Sequence, residues 1–181
     1  VGSEMCIRDR AKGFLIGATS GRTTLNGEGL QHQDGHSHLF SATIPNCLSY
    51  DPAYAYELAV IFQHGIQKMF VELENYYYYI TVTNENYEQP AKPEGSDEGI
   101  IKGMYRLIEN KEHQVILLGS GSILNESVKA VEILSSVGIV AEVWSATSFN
   151  MLRKDGIDKQ RFNELNPDLP SKVSYVEECL G

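Results

Sequence analysis

Short runs rich in β-branched and aromatic residues alternate along this chain with longer stretches of helical spacing, and that alternation constrains the fold most strongly. Strands separated by helices pair in parallel, because the helical crossover returns the chain to the same end of the sheet. The sequence therefore predicts an α/β fold on parallel sheets. Gly13 to Gly17 (GFLIG) is a short buried strand, Ile44 to Tyr50 a second, and the aromatic run Tyr76 to Val82 a third. Asp51-Pro52 offers a side-chain acceptor followed by a preset φ, which predicts a helix start. Ala55, Leu58, Ala59, Phe62, Ile66 and Met69 then fall at i, i+3, i+4 spacing, an apolar stripe to lay on the sheet.

Between Thr83 and Ser96 the periodicity stops and two prolines enter, which predicts a domain boundary with one unit over 11–90 and another over 91–181. The second unit reads as helix Asp97 to Glu109, strand Gln114 to Leu118, a Gly/Ser turn, helix Asn125 to Val137 ended by Gly138, and strand Val140 to Trp144. Two strands make too small an open sheet for independent stability, so this unit is expected to be truncated and the isolated chain to fold poorly. Residues 1–10 carry mixed charge and no period and are expected to be an unmatched or non-native leader.

Several function classes are disfavoured. Asp plus Glu outnumber Lys plus Arg by 24 to 15, and the net charge of -9 repels a phosphate backbone, so nucleic acid is not an expected partner. No apolar run approaches the roughly 20 residues that cross a bilayer, and no membrane partner is expected. Cys6, Cys47 and Cys179 lie far apart without CxxC spacing, which suggests neither a disulfide framework nor a structural zinc site and fits a reducing cytoplasm. Cys47, within a predicted strand, reads as an inert buried thiol.

The chemistry-bearing segment is Asn26 to His38, which packs three of the five histidines and the carboxylates Glu28 and Asp34 into thirteen residues. Imidazole titrates nearest neutrality, so a His-rich loop at a sheet edge suits proton transfer or recognition of a carboxylate substrate, and its glycines let backbone approach a ligand. A plain solvated loop is the bland alternative. A zinc site from His32, His36 and His38 is a weaker one, since glycines at 27, 29 and 35 work against the helix that would align imidazoles four apart. Gly119-Ser120-Gly121-Ser122 follows a strand and precedes a helix, where amides can hold phosphate. Leu124 replaces the third glycine of a dinucleotide fingerprint, which favours an ordinary turn.

The run GFLIGATSGRTTLNGEGLQHQDGHSH from Gly13 to His38 resembles the pyrimidine-binding domain of the homodimeric-type pyruvate dehydrogenase decarboxylating component, a transketolase-like thiamine diphosphate family. The resemblance continues through Ile44-Pro45-Asn46, Ser49 to Glu57, Tyr77 to Thr81, Asn84 to Tyr87 and Pro93-Glu94-Gly95. Leu118 to Ile123 and Thr147-Ser148-Phe149 resemble the opening of the family's C-terminal α/β domain. It implies thiamine diphosphate and magnesium held between two subunits of a homodimer, pyruvate as substrate, and transfer of the acetyl unit to a lipoyl group of dihydrolipoyl acetyltransferase. It implies His32 and Glu28 as catalytic residues, and Asp34, His36 and His38 as substrate-binding ones. The family's Gly-Asp-Gly and asparagine motif for magnesium and diphosphate does not occur in this sequence, nor does its glutamate-bearing segment, both expected upstream. No cofactor or metal ligand is therefore assigned to any residue here. Another 2-oxo-acid dehydrogenase or a transketolase-like enzyme is the alternative within the superfamily.

Overall fold

The structure, a computed structural model, describes residues 12–18, 34–83 and 86–181. The 1–10 leader and most of the His-rich loop, His32 and Glu28 included, lie outside these residues.

Among the described residues, two three-stranded sheets form the frame. In the first, β1 (Phe14–Ala18) and β2 (Cys47–Tyr50) flank β3 (Tyr77–Val82), and both pairings are parallel. Between β1 and β2 lies a short helix α1 (Ser37–Ala42), and between β2 and β3 lies α2 (Ala55–Ile66), which runs on into a π-helical turn over Gln67–Val71. Tyr50, Tyr78, Ile61, Met69 and Ile80 are fully buried where α2 meets the sheet, and the same cluster takes in Ile100 and Tyr105 from the chain beyond the proline-rich segment.

The sequence places α2 correctly but rotates it. Ala55, Ala59 and Ile66 of the expected stripe are exposed, whereas Glu57, Ile61, Gly65 and Met69 are buried at four-residue spacing. Two non-hydrophobic residues explain the rotation. Glu57 is buried because four donors surround it, as described below. Gly65 faces the sheet because a Cβ there would lie 2.6 Å from the Phe14 ring and 3.2 Å from that of Tyr78. The helix also starts later than Asp51-Pro52 suggests, since Asp51 is committed elsewhere.

The second sheet has the order β4-β6-β5, formed by β4 (Tyr105–Ile108), β5 (Val115–Gly119) and β6 (Ala141–Ser145). The β5–β6 pair is parallel and joined by α4 (Ile123–Ser136), as the sequence predicts. The third strand is a correction. The expected helix 97–109 ends after one and a half turns, as α3 (Asp97–Lys102), and β4 follows antiparallel to β6. Gly103 takes φ +114°, which closes α3 and turns the chain into the strand. Two further helices follow β6 among the described residues, α5 (Phe149–Leu165) and α6 (Tyr175–Leu180). Ser148 caps α5 by accepting the Met151 amide at 3.0 Å, and α5 lies against β2 of the first sheet.

Candidate active site at the carboxyl ends of the strands

The parallel strands of both sheets end in one region, and the described end of the His-rich loop enters it. Asp34 Oδ1 accepts the Ser37 amide at 3.0 Å, the Ser37 hydroxyl at 2.6 Å and the His36 amide at 3.3 Å, so the carboxylate anchors the turn into α1. His36 is exposed, with its ring 6.3 Å from Phe40. His38 is half-buried and turned onto β3: its Nε2 lies 3.0 Å from Thr81 Oγ1 and its ring 5.2 Å from that of Tyr79. The His38 carbonyl accepts the Ser41 hydroxyl and the Asn150 amide, each at 2.8 Å. The second unit thus fixes the loop's exit through α5.

Beneath His38 lies a polar chain. The buried Thr81 hydroxyl donates to Asp51 Oδ1, with the Tyr50 carbonyl 3.4 Å away as a second acceptor. The Asp51 amide donates to Thr147 O at 2.7 Å, and its carbonyl accepts the Gly121 amide at 3.2 Å. Ser120 Oγ donates to Asp51 Oδ2 at 3.1 Å. The Gly/Ser turn therefore wraps around Asp51, and Gly121 is required there: its φ is +53°, and a Cβ would sit 3.1 Å from the carboxylate. Sequence reasoning missed Thr81, Ser120 and Asn150 and took Asp51 for a helix cap. Its one usable signal was an acidic residue directly after a strand end, where ligands gather in open parallel sheets.

A second buried carboxylate ties the two units together. Glu57 Oε2 accepts the Ala53 and Tyr54 amides at 2.5 and 3.0 Å, while Oε1 accepts the Tyr105 and Ser145 hydroxyls, both at 2.6 Å. Burial pushes its pKa up from the ordinary carboxylate range, and these four hydrogen bonds oppose the shift. Tyr105 also contacts the Tyr56 hydroxyl at 2.6 Å. All of Glu57's acceptors are taken up in holding α2 to β4 and β6, which makes it a structural carboxylate.

Among the described residues no group of three His, Cys, Asp or Glu side chains is placed to hold a metal ion. Cys47 is half-buried, and burial raises its thiol pKa above the ordinary value. A cleft of about 630 Å³ lined by Tyr54, Tyr87, Leu107, Ile108, Asn125 and Val128 shares no residue with the His38 cluster.

Comparison with known proteins gives similarities over both units. Residues 5–90 match the pyruvate dehydrogenase E1 component middle domain, and residues 103–181 match the transketolase-like C-terminal domain. The pyruvate dehydrogenase E1 component of Pseudomonas aeruginosa is 61% identical over 176 residues, covering 95% of this chain. That of Escherichia coli K12 is 57% identical over the same length. Over most of its length the chain is similar to pyruvate dehydrogenase E1 components. It spans 20% of the length of these E1 relatives. Among solved structures, transketolases from Campylobacter jejuni (TM-score 0.62, 23% identity, 82% of this chain and 22% of that one) and Leishmania mexicana (0.61, 19%, 77% and 19%) share the fold.

Proposed function

We propose that this chain forms part of a thiamine diphosphate-dependent pyruvate dehydrogenase E1 that decarboxylates pyruvate and passes the acetyl unit to a lipoyl group of dihydrolipoyl acetyltransferase, working as a homodimer in the cytoplasm. Two lines of support meet: similarity to E1 components over most of the chain, and the entry of the described end of the His-rich loop at the carboxyl ends of the parallel strands, where open α/β sheets bind ligands. The single observation that carries the site is His38 Nε2 resting on Thr81 at the end of β3.

In this reading the middle unit ends near residue 90 and the C-terminal unit follows. The two sheets and the separate matches over 5–90 and 103–181 support that division. Among the described residues no group of three acidic, thiol or imidazole side chains is assembled that could hold the coenzyme's magnesium. Those ligands are assigned to the remainder of the longer protein, and we derive no step through the coenzyme.

The chain's own residues have simpler tasks. His32 and Glu28 exchange protons with the reacting substrate, and Asp34, His36 and His38 bind it. Asp34 holds the loop's turn and keeps those imidazoles oriented. A positioned imidazole contributes roughly a hundredfold or more in rate. In the full-length protein, His32→Ala should therefore lower complex-linked pyruvate oxidation at least about tenfold. Unchanged turnover would remove His32 from the site.

A further inference from the structure

We propose that Thr81 and Asp51 form a positioning pair that fixes the tautomer and orientation of His38, keeping a proton on Nε2. The idea rests on the reading that His38 faces the substrate.

The argument is a count of protons. The Thr81 hydroxyl has one hydrogen and two acceptor-only neighbours, the Asp51 carboxylate and the Tyr50 carbonyl. Whichever of the two takes that hydrogen, Thr81 has only a lone pair to offer His38. The 3.0 Å contact between Thr81 Oγ1 and His38 Nε2 is then a hydrogen bond in which the imidazole donates. A neutral His38 consequently carries its proton on Nε2. The hold on Thr81 is the same whether the ring is neutral or protonated, since Nε2 donates in both forms.

The pair is itself held from both units. Thr81 is fully buried in the central strand of its sheet, and Asp51 is pinned by Thr147 O, the Gly121 amide and Ser120 Oγ, all from the C-terminal unit. The Tyr79 ring beside His38 restricts rotation further. Orientation of an imidazole through an adjacent acceptor chain is the usual way a tautomer is selected. Here the acceptor is a hydroxyl whose own proton is committed to a buried carboxylate. The C-terminal unit thus acts on His38 both through Asp51 and through the Asn150 amide, which donates to the His38 carbonyl.

The test is a double-mutant cycle in the full-length enzyme with its coenzyme and partner complex. Thr81→Val and Asp51→Asn should each lower kcat/KM about tenfold or more in the wild-type background, and by less than about twofold in a His38→Ala background, because they act through His38. Thr81→Ser, which keeps the hydroxyl, should stay within about threefold of wild type. Equal losses in both backgrounds, or a serine variant as impaired as the valine one, would overturn the proposal. Ring nitrogen shifts of His38 in histidine-labelled protein read the tautomer without reference to turnover. They should show the proton on Nε2 in wild type and a mixture of tautomers in Thr81→Val. A proton on Nδ1 in wild type would overturn the pair, whereas normal turnover in His38→Ala alone would instead overturn the placement of His38 at the substrate.

Discussion

Replacing Glu57 by alanine removes one buried carboxylate and strands four donors: the Ala53 and Tyr54 amides and the Tyr105 and Ser145 hydroxyls. Each buried donor left without an acceptor costs about 1–3 kcal/mol, but the losses do not add. The two hydroxyls can rotate, and Tyr105 already touches Tyr56. The two amides cannot. Loss of one partner from a buried charged network typically costs about 3–5 kcal/mol, and we expect Glu57→Ala in that range. Glutamine separates charge from geometry. Its carbonyl can serve the two amides while its NH₂ donates to hydroxyls that turn to accept, so Glu57→Gln should cost only about 1–2 kcal/mol. Hydrogen exchange on the peptide spanning 53–66 of the full-length protein reads this locally. At 1.4 kcal/mol per tenfold, alanine should speed exchange by about two to four orders of magnitude and glutamine by about one. Exchange within about threefold of wild type for Glu57→Ala would refute the view that this carboxylate holds α2 to the second sheet.

Other expectations follow from the same structure. Burial, with Lys68 nearby, holds the His64 imidazole below its ordinary value of 6.5, and its Nδ1 lies 2.9 Å from the Tyr78 hydroxyl. The neutral form is preferred in the fold, so its contribution is present above the unfolded value and is lost as the pH falls through the folded one. Exchange of the 55–82 peptide, corrected for intrinsic rate, should rise as the pH drops below about 6.5, and His64→Gln should flatten that response; a flat wild-type profile would contradict it. Gly121→Ala forces a side chain into a left-handed conformation against Asp51 and should cost about 1–2 kcal/mol, seen as a lower urea midpoint. An unchanged midpoint would show that the turn relaxes.

The parallel architecture was legible because strand-forming and helix-forming runs are well separated, and β3 and the β5–α4–β6 unit fall where the periodicity puts them. What escaped was set by tertiary contacts. A buried glutamate and a helical glycine rotate α2 relative to its apolar stripe, and α5 buries only Leu152 among 17 residues, which leaves no stripe to read. A glycine hidden in an apparently helical run turned the 97–109 segment into helix plus strand. The His-rich loop stood out by composition, but Thr81 and Asp51 are ordinary residues whose role emerges only when the ends of β2 and β3 are brought side by side. No local pattern encodes that pairing.

The most direct measurement is a structure of the full-length protein with thiamine diphosphate and a non-reactive phosphonate analogue of pyruvate. The account predicts the analogue at the carboxyl ends of β1 and β3, within hydrogen-bonding distance of an imidazole from His32, His36 or His38. An analogue bound elsewhere, with these histidines turned to bulk solvent, would contradict it.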